Sequence, residues 1–274
     1  MDPILLFHSL IMGLVEGITE FLPISSTGHL ILTGDLLNFL PKEKRNVYEI
    51  FIQLGAMLAV IWEYRAKFCT TLSGIKRPGN ERNLFLGIII AFIPAAILGL
   101  LFSKSIKEHL FQPIPVATMF IVGGLIILWA EKRQHSVRVE TVDDISLKDA
   151  IKVGLCQCLA LIPGTSRSGA TIIGGMFMGL SRKAATEFSF FLGIPTLGAA
   201  SIYSIIKYRN ELSMDDFGVF AVGFVASFIF AFIAIRALIK FISTHTFIVF
   251  AWYRIAFGLV VLATWHFGLV NWTA

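Results

Sequence analysis

The sequence predicts an all-α polytopic membrane protein: six transmembrane helices and two re-entrant helical hairpins, arranged as an inverted-topology repeat. Three observations lead there: composition, the lengths of the uncharged runs, and a self-similarity between the two halves. Of 274 residues, 56% are hydrophobic and 15% charged, against about 25% charged in an ordinary soluble domain. Mean hydropathy is +0.77. A water-soluble fold of this size lacks the polar surface to cover so much apolar side chain. Composition therefore excludes a soluble enzyme, a nucleic-acid-binding module and a disordered scaffold. The formal charge of +5 reflects loop orientation in such a chain, not a nucleic-acid partner.

A helical span needs roughly 20 apolar residues. Leu84–Phe102, Phe188–Ile206 and Phe217–Ile235 each run 19 residues without a charge. Ile114–Ala130 is 17 residues long, and Phe247–Trp272 is longer, interrupted by Arg254. Tyr48–Trp62, with Glu49 and Gln53 as its strongly polar members, makes a sixth. Two regions are too short. Ile4–Val15 stops at Glu16, and Val153–Ile162 stops at Pro163-Gly164; each is followed by a Ser/Thr/Gly cluster and a further short run, Leu30–Leu40 and Ile172–Leu180. Half-length helices around a polar break describe a re-entrant hairpin, tolerated at membrane depth where protein or a watery cavity surrounds it.

The repeat follows from matches in register. Gly13-Leu14 pairs with Gly154-Leu155, and Ser25-x-Thr27-Gly28 with Ser166-x-Ser168-Gly169, both at an offset of 141. Glu49-x4-Leu54-Gly55 pairs with Glu187-x4-Leu192-Gly193 at 138, and Gly124-Leu125 with Gly258-Leu259 at 134. The chain is expected to be one integral-membrane domain, 1–274, of two halves near 1–140 and 141–274. Each half has a hairpin and three spans, so the second lies inverted against the first. Lys and Arg are denser in 65–82, 132–148, Arg182-Lys183 and Arg236/Lys240 than in the loops opposite; this puts both termini outside and the first hairpin opening outward. The segment MDPILLFHSL lacks a basic n-region and is read as folded protein, not a signal peptide. Cys69, Cys156 and Cys158 have no disulfide or zinc spacing, and Cys156 and Cys158 are expected to pack. His8, His109, His135, His245 and His266 lack partner spacing.

The chemistry concentrates at the two breaks. Glu16 and Glu20 lie four apart on one helical face, directly before Pro23-Ile-Ser25-Ser26-Thr27-Gly28-His29. A charge at the bilayer centre costs at least about 2.5–3.5 kcal/mol, so two carboxylates there need a partner or a purpose. The second break, Pro163-Gly164-Thr165-Ser166-Arg167-Ser168-Gly169-Ala170-Thr171, has the composition of an oxyanion cradle: glycines, hydroxyls, a helix N-terminus and an arginine fork. Two helix N-termini and Arg167 converge on a tetrahedral anion beside two carboxylates. Such a site calls for a hard divalent cation, Mg²⁺ or Ca²⁺, on Glu16 and Glu20, and the implied chemistry is phosphoryl transfer. Ser25, Thr27, Gly28, Gln53, Ser166, Ser168, Gly169 and Thr171 are the expected substrate contacts.

At these residues the chain resembles the undecaprenyl-diphosphate phosphatases of the bacitracin-resistance family. The (Glu/Gln)-x3-Glu motif stands at Glu16–Glu20, Ser-Ser-Thr-Gly-His at Ser25–His29, and Pro-Gly-x-Ser-Arg-Ser-x-x-Thr at Pro163–Thr171, in the family's order. The resemblance implies hydrolysis of a C55 isoprenyl diphosphate in the bacterial cytoplasmic membrane, recycling the lipid carrier for cell-wall polymers; the outward opening of the Glu16/Glu20 hairpin suggests the periplasmic side. Bacitracin resistance follows indirectly, because that drug sequesters the diphosphate. A homodimer is compatible with it.

For roles, Ser26 is the expected nucleophile and Glu20 its base or a metal ligand. Arg167 is the phosphate clamp; His29 is an acid/base or, in the competing assignment, the nucleophile itself. Arg254 is expected to be a counter-charge for Glu49 or Glu187, or a second anion contact. The rival function is a transporter or flippase for a phosphorylated lipid using the same midplane anion site. The hydrolytic assignment requires Glu20 and Ser26 to lie within about 10 Å of Arg167, the span of one diphosphate headgroup.

Overall fold

The computed structural model of the chain describes residues 2–110, 112–133, 136–208 and 216–268. The side chains of Lys104, Lys107, His109 and Lys207, together with His135, Arg209 and the end of the expected 247–272 run, lie outside what it describes. Among the described residues there are eleven α-helices and no strand, only an isolated bridge between Val139 and Leu180.

Helix α1 (Pro3–Thr19) starts where the Asp2 carboxylate accepts the Ile4 N–H at 2.9 Å and Pro3 takes the first turn. It runs past Val15, because hydrogen bonding along a helix is indifferent to the carboxylate of Glu16; apolar run length gave an end that the backbone does not respect. After a break, α2 spans Ser26–Leu36 and stops short of the expected Leu40, with Asn38 and Leu40 in the left-handed region (φ 47° and 52°). Helix α3 (Lys42–Glu63) bends by 75° at Tyr64 into α4 (Arg65–Gly74). Helices α5 (Asn80–Leu110) and α6 (Pro113–Lys132) complete the first half. The second half repeats the order: α7 (Leu147–Gln157) ending in a 3-10 turn, a break, α8 (Arg167–Phe177), α9 (Arg182–Tyr208), α10 (Phe217–Ile242) and α11 (Ile248–His266).

By length and composition, α5, α6, α10 and α11 can each cross a membrane, and the bent pair α3–α4 makes a fifth candidate. Leu100, Leu101, Phe217 and Trp252 stand exposed on these helices, as lipid-facing side chains do. The chain is a multi-pass membrane protein. In the packing, α1 lies on α10 and α7 on α5, α3 contacts both α9 and α10, and α6 pairs with α11. The α1–α10 approach needs small residues: a Cβ at Gly13 would come within 2.3 Å of the Gly223 carbonyl, and one at Gly17 within 2.6 Å of the Ser227 carbonyl. Cys156 packs against Gly174, and all three cysteines are free.

One residue ties the two breaks together. Arg254, on α11 and wholly buried, directs its five N–H groups at five carbonyls. Nε donates to Phe120 (3.2 Å), Nη1 to Pro23 (3.0 Å) and Thr165 (3.1 Å), and Nη2 to Met119 (2.9 Å) and Gly164 (2.8 Å). Pro23 belongs to the first break, Gly164 and Thr165 to the second, and Phe120 and Met119 to α6. This corrects the expectations for Arg254: it pairs with neither Glu49 nor Glu187, and with five donors spent it has none left for an anion. Glu49 instead lies 4.0 Å from Arg45. Space for the guanidinium comes from Gly123, where a Cβ would sit 2.2 Å from Nη2.

Removing the guanidinium takes the donor from the carbonyls of Pro23, Gly164 and Thr165, which lie outside any helix, and an unsatisfied buried carbonyl costs about 1–3 kcal/mol. Arg254→Met should cost on the order of 3 kcal/mol or more and lower the melting temperature in detergent. Arg254→Lys, with three donors, should recover only part, and Gly123→Ala should destabilise by crowding the same group; melting at the wild-type temperature for all three would refute this hub. A second prediction concerns Asp149, which closes the capping box of α7 with Ser146 and accepts from Arg138 at 2.5 and 3.3 Å. Burial alone would raise its carboxyl, but the hydrogen bonds from Arg138 and Ser146 hold it below the ordinary aspartate value. The resulting stabilisation is complete above the unfolded-state value of about 3.9 and is lost as pH falls through the native one. The melting-temperature gap between wild type and Asp149→Asn should therefore be wide at neutral pH and close in acid.

Candidate active site

Both breaks end in the same backbone conformation. Ser25 precedes α2 with φ 71° and ψ 94°, and Ser166 precedes α8 with φ 71° and ψ 117°. A non-glycine residue in this region carries strain that surrounding structure must hold, and the device recurs at positions 141 apart. Each strained serine turns the chain so that the next residue opens a helix: Ser26 in α2 and Arg167 in α8.

Those two residues meet on one carboxylate. The Ser26 hydroxyl donates to Glu20 Oε2 at 2.5 Å, and Arg167 donates to Glu20 Oε1 from Nη2 at 3.0 Å and from Nε at 3.4 Å. Glu20 and Ser26 are each 6% exposed. Arg167 Nη1 donates to the Ser189 carbonyl at 2.8 Å, and the guanidinium passes Gly193, where a Cβ would lie 2.9 Å from Nη1. Among the described residues three of its five N–H groups are engaged, which leaves one on Nη1 and one on Nη2 for an oxyanion. The separation required between Glu20, Ser26 and Arg167 is met at hydrogen-bond distance.

The neighbouring positions divide. Ser166 Oγ accepts the Gly169 N–H at 3.1 Å and lies 3.1 Å from Ser168 Oγ. Ser168 and Thr171 are wholly buried: Ser168 donates to the Leu22 carbonyl at 2.7 Å, so the second break is laced to the first, and Thr171 to Ser189 Oγ at 2.7 Å. Thr27 is half-buried, and Gly28 lies so close to the Phe120 ring that a Cβ would come within 2.4 Å. Gln53 is half-buried on α3 and makes no hydrogen bond to these residues among those described. Glu16 is wholly buried, and neither of its oxygens has a hydrogen-bond partner among the described residues.

His29 stands apart from the Ser26–Glu20–Arg167 chain. Its Nδ1 is 2.7 Å from the Ser25 carbonyl and its Nε2 2.7 Å from the Tyr253 hydroxyl, and its ring stacks on Phe257 at 4.4 Å. Tyr253 escaped the sequence reading of the site, and so did the actual partners of Arg254. Arg254 was visible as a charge in an apolar run, but its partners are backbone carbonyls, which leave no mark on a sequence. Tyr253 had no signal at all.

Among the described residues no three His, Cys, Asp or Glu side chains cluster as metal ligands. Two carboxylates, one with both oxygens unsatisfied, nevertheless fit a hard cation whose other ligands are water and phosphate oxygens, the usual arrangement for Mg²⁺.

Comparison with known proteins places this geometry. The family described as bacitracin resistance protein BacA matches residues 9–260. Undecaprenyl-diphosphatase 1 of Chromobacterium violaceum is 81% identical over 98% of this chain and 100% of its own length. Undecaprenyl-diphosphatase 2 of Rhodospirillum rubrum is 62% identical, and the undecaprenyl-diphosphatase of Cellvibrio japonicus 60%, each over the whole of both chains. A match that takes in both breaks and every helix between them leaves one assignment: the chain belongs to the BacA bacitracin-resistance family.

Proposed function

We propose that this chain hydrolyses undecaprenyl diphosphate to undecaprenyl phosphate and inorganic phosphate, recycling the lipid carrier of cell-wall synthesis and so conferring bacitracin resistance. The observation that carries the proposal is the single carboxylate, Glu20, shared by the Ser26 hydroxyl and the Arg167 guanidinium. The names of the full-length relatives supply the substrate.

In this mechanism Ser26 Oγ attacks the terminal phosphorus and passes its proton to Glu20, at 2.5 Å already within transfer distance. Undecaprenyl phosphate leaves, and water then cleaves the phosphoserine, releasing phosphate and restoring the hydroxyl. The remaining N–H groups of Arg167 clamp phosphoryl oxygens, as do the first-turn amides of α2 and α8, at Thr27, Gly28 and Ser168. Ser25, Ser166, Gly169 and Thr171 shape the two turns that present these donors, and Gln53 completes the wall on α3. With both imidazole nitrogens engaged, His29 is not the nucleophile. Glu16 and Glu20 would hold Mg²⁺ or Ca²⁺, which when bound neutralises charge on the diphosphate.

The same proposal sets the chain in the bacterial cytoplasmic membrane with six spans and two re-entrant hairpins. The packing supports an inverted repeat: exchanging the halves maps the α1–α10 contact onto α7–α5 and leaves α3–α9 and α6–α11 on themselves. Termini outside would open the Ser26 hairpin to the periplasmic side.

The test is phosphate release from a long-chain prenyl diphosphate by purified protein in detergent. Ser26→Ala and Arg167→Ala should each lose at least about 10²-fold in kcat while keeping wild-type helix content; near-normal turnover by either would overturn its role. EDTA should abolish release and Mg²⁺ or Ca²⁺ restore it, whereas full activity in EDTA would remove the cation from the scheme.

A further inference from the structure

The two breaks match in backbone but not in how their strained serines are held. At the second break the Ser166 side chain caps the Gly169 N–H, and the Ala170 N–H donates to the Ser166 carbonyl at 2.9 Å. At the first, the Ser25 side chain makes no capping hydrogen bond, and its carbonyl receives the His29 imidazole at 2.7 Å. What the second break obtains locally, the first obtains from a side chain one turn along.

That arrangement fixes a tautomer. The Ser25 carbonyl can only accept, so the proton is on His29 Nδ1, and in the neutral ring Nε2 is then an acceptor. Its partner at 2.7 Å is the Tyr253 hydroxyl, which must donate. The ring is 7% exposed and lies nearly parallel to both Phe257 (17°) and Tyr253 (10°), with Phe120 tilted against it. Tyr253 comes from α11, next to Arg254, so the brace spans from the second half of the chain to the first.

We infer that Tyr253 is a positioning residue for Ser26: its phenol O–H holds the His29 ring at Nε2, and the His29 Nδ1–H holds the Ser25 carbonyl of the turn that aims the Ser26 hydroxyl at Glu20. The inference rests on the proposed hydrolysis for its kinetic consequence but not for its geometry. Tyr253 does not touch the reacting atoms; it acts through His29 and the Ser25 peptide. Tyr253→Phe keeps the stacked ring and deletes only the donor, so the effect should fall on turnover and not on substrate affinity.

The experiment pairs two measurements on full-length protein in detergent. In ¹⁵N-histidine spectra, with the His29 signals identified by their absence from His29→Gln, wild type should show the Nδ1–H form with its Nε2 signal moved upfield by the hydrogen bond it accepts, and Tyr253→Phe the same tautomer without that displacement. In phosphate release from a prenyl diphosphate, Tyr253→Phe should lose about tenfold in kcat, the worth of one hydrogen bond to a well-placed group, with KM within twofold and a melting temperature lowered by no more than about 4 °C. A His29 found as the Nε2–H form in wild type, or a Tyr253→Phe protein with the wild-type Nε2 shift and kcat, overturns the brace. A wild-type protein that releases no phosphate overturns the hydrolytic proposal instead, and the spectra still decide the tautomer.

Discussion

A helix broken inside an apolar environment leaves carbonyls and amides with no water to receive them, and everything at the centre of this molecule follows from how that debt is met. Two such breaks lie together, and one guanidinium answers both. Arg254 uses each of its five N–H groups on a different carbonyl, drawn from the first break, the second break and α6. No other side chain offers five donors in a rigid plane. The contact from Ser168 to the Leu22 carbonyl adds a direct stitch between the breaks. Only because the two turns are fastened in this way can Ser26, six positions from Glu20, and Arg167, 147 positions from it, meet on its carboxylate.

The two arginines of the centre illustrate how hydrogen-bond saturation divides labour. Both are deeply placed, and both were visible as charges in apolar sequence. Arg254 is saturated and serves architecture. Among the described residues Arg167 holds Glu20 and the Ser189 carbonyl with three N–H groups and keeps two in reserve. The glycines beside them mark the same distinction: Gly123 and Gly193 each give up a side chain so that a guanidinium can pass.

Much of this was legible in advance, for reasons that can be named. Paired carboxylates and a serine-arginine cluster inside apolar runs are expensive, so their presence pointed to Glu20, Ser26 and Arg167 before any coordinates did. The order of the long helices followed from apolar length, but α4, inside the expected loop 65–82, did not. Helix ends did not: α1 runs on to Thr19 and α2 stops at Leu36, because termini are set by backbone hydrogen bonds and by left-handed residues such as Asn38. The partners of Arg254 and His29 were also hidden, since a carbonyl has no residue type and Tyr253 lies 224 positions from His29. Sequence patterns reveal which side chains are costly, and coordinates reveal which backbone atoms receive them.

The saturation of Arg254 by neutral dipoles has an electrostatic corollary. Among the described residues no carboxylate pairs with it, whereas Arg167 is matched by Glu20. Carbonyl dipoles solvate a cation without cancelling its monopole, so the place where the breaks meet carries a positive charge that no hydrogen-bonded carboxylate offsets, and an anion is drawn toward it.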